Sequence, residues 1–295
     1  MGSKIGIVTV TFNSTTVIDG FMQSVLAQNV QNHILYVVDN ASTDGTLEKL
    51  NNYQNGLPFS MIIISNKENV GVAAGNNQGI KMAIEGECDC VLLLNNDVEF
   101  DKTLFNQLLS GLESYQCDIV VPKIYYYDNS QMLWYGGGYF RRWQGYQSVH
   151  RGNREIDCGQ YNKPVRVSYS PTCCMLIKVG VFSRIGLMDE KYFVYYDDTD
   201  FCLRAYKNDV QMYYLPDATL RHKVSSLTGG KTSSFTIRYT TRNRTYYMKK
   251  NMNLPLSIIW IALYQMVIIL YILFGRDKWS VYQLKQQALY EGLLL

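Results

Sequence analysis

The sequence predicts an α/β fold, a mainly parallel sheet with helices on both faces, extended by an apolar helical tail. Three observations carry this. Short apolar runs alternate with stretches of helical period through residues 1–122, and strands that alternate with helices close into parallel sheets. A polar cluster follows each of the first four apolar runs, at the carboxyl ends of strands where open α/β sheets bind ligands. Residues 254–274 carry no charge at all.

Taken in order, residues 5–12 (IGIVTVTF) read as a buried strand. Residues 15–28 set Val17, Ile18, Phe21, Met22, Val25 and Leu26 at helical spacing. A second strand is expected over 34–38 and a helix over 44–55, stopped by Gly56 and Pro58. A third strand at 61–64 precedes a helix over 73–84, a fourth at 91–94 precedes a helix over 102–115, and a fifth falls at 119–121. Beyond 123 the texture changes. Residues 125–146 are rich in Tyr, Trp and Gly and read as hairpins and loops; 165–178 resumes strand character, 197–207 reads as a short helix and 212–215 as a late strand.

The 295 residues fit one large domain or two small ones, and 47% apolar content supports a substantial core. A formal charge of +3 gives no sign of a nucleic-acid partner. The charge is uneven: residues 218–276 hold nine basic residues and no acid, leaving 19 basic against 25 acidic residues elsewhere. Seven cysteines without a Cys-x-x-Cys read as buried free thiols in a reducing compartment. Met1-Gly2-Ser3-Lys4 runs straight into an apolar strand, so no signal peptide is expected and the body is placed on the cytoplasmic side.

Four polar clusters should converge on one sheet edge: Thr11-Phe12-Asn13, the run from Asp39-Asn40 to Asp44-Gly45, the run from Asn66 to Asn69-Val70-Gly71, and Asn95-Asn96-Asp97. Each alone could be a turn or a helix cap; four in register suggest a nucleotide site. No Gly-x-Gly-x-x-Gly follows the first strand, which argues against a dinucleotide enzyme. Gly230-Lys231-Thr232 resembles the end of a phosphate loop, but Ser225 stands where that motif needs glycine. Gly71, Gly75 and Gly79 share one helix face, suited to close helix–sheet packing or to backbone approach by a ligand.

These motifs, with Tyr196-Asp197-Asp198-Thr199-Asp200-Phe201-Cys202-Leu203-Arg204 and His222, make the chain resemble a family 2 glycosyltransferase of the GT-A fold over about residues 4–250. Within that family it is most similar to the rhamnosyltransferase-like branch that builds bacterial surface polysaccharides. The resemblance implies a donor pocket of Thr11, Asn13, Asp39, Asn40, Asn69, Gly71, Asn76, Asn95, Asn96 and Asp97. Asp39 matches the residue that accepts a pyrimidine imino N–H, favouring a dTDP- or UDP-sugar. Asp97 and His222 match the ligands of Mn²⁺ or Mg²⁺, and Asn95 replaces the first carboxylate of the family's Asp-x-Asp element. Asp198 matches the catalytic base of an inverting transfer, which needs a group to take the acceptor hydroxyl proton. Asp197 and Asp200 would orient it or cap the following helix, and Arg204 is either a structural partner or a diphosphate contact.

The resulting expectation is an inverting, metal-dependent transferase. It moves a sugar, L-rhamnose from dTDP-rhamnose, onto a lipid-linked glycan at the cytoplasmic face of a membrane. The rivals are a UDP-sugar donor (galactose, galactofuranose or N-acetylglucosamine) and a non-catalytic nucleotide-sugar-binding membrane scaffold. Domain boundaries follow: a GT-A domain over 1–250, divided at 122/123 into nucleotide- and acceptor-binding halves, and a membrane-associated helical segment over 251–295. That tail is long enough to cross a bilayer, and could equally lie in its surface, with the preceding Arg/Lys run against anionic headgroups. Arg242 and Arg244 could touch donor diphosphate or lipid. The aromatic stretch from Trp134 to Tyr146 could form an acceptor platform, and a homodimer stays open.

Overall fold

The computed structural model describes residues 3–30, 32–224 and 233–295; the Ser225 and Gly230-Lys231-Thr232 readings lie outside them. The described elements are β1 (Ile5–Thr11), α1 (Ile18–Leu26), β2 (His33–Asp39), α2 (Thr46–Gln54), β3 (Ser60–Ser65), α3 (Gly71–Glu85), β4 (Cys90–Leu94), β5 (Val98–Phe100), α4 (Leu104–Ser114) and β6 (Ile119–Tyr126). They continue with β7 (Leu133–Tyr135), β8 (Gly138–Arg141), β9 (Gln147–His150), β10 (Val165–Arg166), β11 (Cys174–Lys178), α5 (Gly180–Ile185), α6 (Asp197–Lys207), β12 (Met212–His222), α7 (Ser234–Asn251), α8 (Leu254–Leu273) and α9 (Trp279–Leu294).

Among the described residues ten strands form one sheet, ordered β10-β12-β6-β11-β4-β1-β2-β3, with β5 on β12 and β7 on β6. The β3-β2-β1-β4 block is parallel, as is β6-β12. Adjacent Ile7 and Val8 point to opposite faces and are both fully buried, so protein covers both sides of the sheet. On one side α3 lies close to β1, because a Cβ at Gly75 would come within 2.9 Å of the Val10 side chain. The glycine face is therefore used for helix–sheet packing.

Three sequence expectations change. Strand character over 165–178 is broken into β10 and β11 by a buried stretch around Pro171. β11 runs antiparallel between β4 and β6, so the fourth and fifth expected strands are not neighbours. The late strand extends to His222 through an irregularity between Leu215 and Thr219, at Pro216, which cannot donate to the ladder. His222 thus ends β12 instead of following it. Of the seven cysteines, six are buried as expected and Cys158 is exposed.

The start of α3 is fixed against the chain around residue 193. Gly71 has φ +86°, and a Cβ there would sit 2.6 Å from the Phe193 carbonyl oxygen. That oxygen accepts from the Val72 N–H at 2.6 Å. Gly71→Ala should therefore lower unfolding free energy by about 2 kcal/mol or more in chemical denaturation, combining left-handed strain with a backbone clash; Gly56→Ala, with open space around it, should be near neutral.

Candidate active site

The carboxyl ends of β1 to β4 form one edge, as the register of Thr11 with Asp39 and of Asp39 with Ser65 requires. Asp39 is buried there. Its Oδ1 accepts from Thr11 Oγ1 (2.8 Å) and Ser42 Oγ (2.6 Å), and its Oδ2 from the Ser42 N–H (3.0 Å). Exposed Asn13 bridges to the same loop, accepting from the Thr43 N–H at 2.8 Å. The remaining amides mostly hold loops together. Asn40 donates to the Gly71 carbonyl (3.1 Å) and Asn69 Oδ1 (3.3 Å), and Asn69 accepts from the Gly71 N–H (2.9 Å). Asn96 donates to the Val10 carbonyl (2.6 Å), tying β4's end to β1. Asn76 turns toward Met188 Sδ (3.7 Å), on the side of α3 that meets the segment before α6.

Beside this edge, Asp97 Oδ1 lies 3.2 Å from His222 Nε2. The short strand β5 brings them together: it pairs antiparallel with β12, setting Val98 opposite His222. Among the described residues, His222 Nδ1 is buried without a hydrogen-bond partner, and no group of three or more His, Cys, Asp or Glu side chains is disposed to hold a metal. Asp97 Oδ1 and His222 Nε2, which face each other, are a fitting donor pair for Mn²⁺ or Mg²⁺ only if other oxygens complete the coordination.

The acidic cluster opens α6. Asp198 is partly exposed; its Oδ1 accepts from the Thr199 N–H (2.6 Å) and Oγ1 (3.0 Å), and its Oδ2 from Tyr169 OH (3.2 Å). Asp197 is buried. Burial, then the neighbouring charge of Asp198, pushes the Asp197 carboxyl up to about 8. Burial also raises Asp198, against the pull of its Thr199 and Tyr169 hydrogen bonds. The pair therefore shares one proton near neutrality. That proton sits on Asp197, because the three donors around Asp198 favour its charged form. Asp200 differs: fully buried, it accepts from Arg204 Nε (2.9 Å), Lys250 Nζ (3.0 Å) and Asn251 Nδ2 (2.9 Å). Arg204 spends its other nitrogens on the carbonyls of Ile185 and Leu187. Arg204 thus ties α6 to the chain before it.

Asp97 and Asp198 are about a hundred residues apart, and between them in sequence lies buried Cys173. Its buried thiol is raised first by burial, then by Cys174, then by both carboxylates, and its carbonyl accepts from the Asn95 N–H at 3.0 Å. A second connection runs through side chains. The Trp134 ring stands edge-on to His222 (4.6 Å) and to His150 (4.8 Å). His150 Nε2 lies 3.4 Å from Tyr169 OH, which reaches Asp198. Trp134 is thus a spacer between histidines, which leaves it partly spent as an acceptor platform.

The loop before α6 is strained, with Phe193, Tyr195 and Tyr196 at φ +64°, +63° and +67°. Such conformations cost roughly 1–3 kcal/mol each and persist only when neighbours impose them. Fully buried Asn243 on α7 imposes this one, its Nδ2 lying 2.8, 2.6 and 2.9 Å from the carbonyls of Tyr192, Val194 and Tyr195. Sequence reading missed Asn243, Tyr169, His150 and Cys173 because none belongs to a local motif. Arg242 is also internal, donating to the carbonyls of Lys191 and Tyr192, and Arg244 lies over the Tyr264 ring. Lys250 pairs with Asp189 and Asp200, so much of the Arg/Lys run expected at a headgroup surface instead ties helices together.

The family model described as glycosyl transferase family 2 matches residues 6–185. The chain is 28% identical over 145 residues to the low-salt glycan biosynthesis hexosyltransferase Agl10 of Haloferax volcanii, covering 49% of this chain and 46% of that protein. It is 23% identical over 252 residues to the dTDP-rhamnosyl transferase RfbF of Shigella flexneri, covering 85% of this chain and 79% of RfbF. In fold it is similar to the mannosyltransferase PcManGT of Pyrobaculum calidifontis, solved with GDP-Man and Mn²⁺, with TM-score 0.60, 12% identity and coverage of 100% and 87%. The chain thus spans less than half of Agl10 and most of the other two.

The Asp197 proton makes a stability prediction. Its carboxyl ionises near 3.8 unfolded and near 8 folded, so between those pH values the folded chain binds more protons. Stability contributed by the protonated group is full below about pH 3.8 and is lost as pH rises toward 8. Asp197→Asn should raise the melting temperature at pH 8, leave it nearly unchanged at pH 4, and flatten the slope between. Equal slopes in variant and parent would contradict a buried protonated Asp197.

Proposed function

The chain belongs to glycosyl transferase family 2, and from that premise we propose that it is a nucleotide-sugar glycosyltransferase, carrying out an inverting, metal-dependent transfer of L-rhamnose from dTDP-rhamnose to a lipid-linked glycan. The observation that carries this reading is the chain of side-chain contacts that links Asp97, through His222, Trp134, His150 and Tyr169, to Asp198. One carboxylate is paired with His222; the other is a hydrogen-bonded, partly exposed base.

Donor binding is assigned to the β1–β4 edge. Asp39 would accept the pyrimidine imino N–H, with Thr11 holding its carboxylate and Asn13 shaping the pocket wall. Asp97 and His222 would hold Mn²⁺ or Mg²⁺, which when bound supplies charge neutralisation to the leaving diphosphate. Asn95 in place of a second carboxylate makes the protein's own affinity for the ion weak, so the donor's phosphate oxygens would complete the site. Asp198 takes the acceptor hydroxyl proton as the new bond to the anomeric carbon forms and the bond to the diphosphate breaks. Asp197, kept protonated, adds no second negative charge, and Tyr169 orients the base. The single displacement inverts the anomeric centre.

RfbF, whose name specifies a dTDP-rhamnosyl donor, supports the rhamnose reading. UDP-galactose, UDP-galactofuranose or UDP-N-acetylglucosamine is the second reading, since Asp39 would read uracil as it reads thymine. We assign residues 1–122 to donor binding, 123–250 to acceptor binding and 251–295 to attachment at the cytoplasmic face of a membrane.

Three measurements test this. In thermal shift with Mn²⁺, dTDP and UDP should stabilise the protein and GDP should not; stabilisation by GDP alone would remove the pyrimidine assignment. Asp198→Asn should lower kcat by about 10²–10⁴-fold while the dTDP-induced shift is unchanged; turnover equal to the parent would remove the base. Tyr169→Phe takes away a hydrogen bond that lowers the Asp198 pKa, so the acidic limb of its pH–kcat profile should move upward.

A further inference from the structure

α8 is 20 residues long with mean hydropathy 2.3, about 30 Å at 1.5 Å per residue, enough to cross a bilayer. Its packing says otherwise. One stripe of the helix is seated on the protein along most of its length. Ser257 and Ile268 are buried. Near the start, a Cβ at Gly145 would lie 3.5 Å from the Trp260 ring. At mid-helix Tyr264 OH reaches Thr241 Oγ1 of α7 (3.4 Å), and the Arg244 guanidinium stands 4.3 Å from the Tyr264 ring centroid. Beyond it Gln265 donates to Gln286 of α9 (2.8 Å), and Lys285 of α9 joins Asp277 (2.6 Å) and lies over the Tyr271 ring. Both polar, non-aromatic residues of α8, Ser257 and Gln265, face the protein.

The opposite arc is apolar and bare. Leu256, Ile259, Leu263, Met266, Val267 and Phe274 are each 40–74% exposed, and only 11% of the apolar window is buried. α9 then returns to the body. Arg238 forms two hydrogen bonds to Glu291 (3.0 Å each), and Lys191 Nζ reaches the Leu295 carbonyl (3.1 Å). A transmembrane α8 would draw Thr241, Arg244 and the catalytic body to mid-bilayer, and would force α9, with Lys285 and Glu291, back through lipid. Neither is compatible with the cost of charge in hydrocarbon.

We propose that α8 lies flat in the membrane surface, its bare arc sunk roughly 5–10 Å into the headgroup and acyl boundary. The occupant of the arc is anionic lipid. Most basic residues of α7 and α9 are spent inside the protein, but Arg276 and Lys278 stand exposed just past the helix end, where anionic headgroups would meet them. This rests on the membrane part of the proposed function and refines it: both ends of α8 stay on one side. Because α7 grips Tyr264 through Thr241 and Arg244 and the base-bearing loop through Asn243, lipid seating would also set how that loop faces a lipid-linked acceptor.

The test uses the full chain with Cys158→Ser and sealed vesicles of phosphatidylglycerol and phosphatidylcholine, with the protein added outside. Asn253→Cys and Lys278→Cys, at the two ends of α8, should both react with a membrane-impermeant maleimide. Protection of Lys278→Cys until detergent is added would establish a spanning helix and overturn the proposal. Ile259→Asp/Val267→Asp should reduce vesicle co-sedimentation tenfold or more, with the dTDP thermal shift confirming a folded site. Co-sedimentation equal to the parent would overturn it. So would a parent that ignores vesicles and forms a dimer that the same double variant dissociates, since the arc would then be a self-association face. Vesicle binding in a protein without transferase turnover would sink the proposed activity and leave the flat helix standing.

Discussion

The structure depends on one insertion: β11 running antiparallel between β4 and β6. Pairing Cys174 with Leu94 places Cys173 against Asn95 and so joins the parallel β3-β2-β1-β4 block to the chain after residue 123. Without that register Asp97 would end a loop at one sheet edge, and Asp198 would open a helix elsewhere. With it, Asp97 and Asp198 are linked through His222, Trp134, His150 and Tyr169.

The first half of this arrangement was legible in the sequence because it is local. Apolar runs and the polar residues that end them determine β1 to β4, and the loops they carry meet because parallel strands align their carboxyl ends. The second half depends on pairings that no short window encodes. β5 is three residues long, yet its pairing with β12 helps bring His222 beside Asp97. β12 passes a proline irregularity to reach His222. Packing separates the carboxylates of the acidic run at 197–200: burial and a neighbouring charge raise Asp197, Asp198 is partly exposed and accepts three hydrogen bonds, and Asp200 anchors Arg204 and Lys250.

α7 was the least legible element and carries the most structural responsibility. Its polar residues suggest a solvated face. In the structure, Asn243 instead caps three carbonyls of a strained loop and Arg242 fills the neighbouring carbonyls. Thr241 and Arg244 hold α8, and Arg238 and Lys249 hold α9. A basic run read as a lipid contact is mostly an internal brace, and the apolar arc of α8 is the part left facing outward.

The central claim is that Asp97 and Asp198 address a single donor from two sides. The most direct measurement is a crystal structure of the protein with Mn²⁺ and a non-transferable dTDP-sugar, the ion located by its anomalous scattering. The account predicts an anomalous peak between Asp97, His222 and the diphosphate, with the sugar lying between that peak and the Asp198 carboxylate. A bound nucleotide whose sugar points away from Asp198, or an ion held elsewhere with Asp97 untouched, would contradict it.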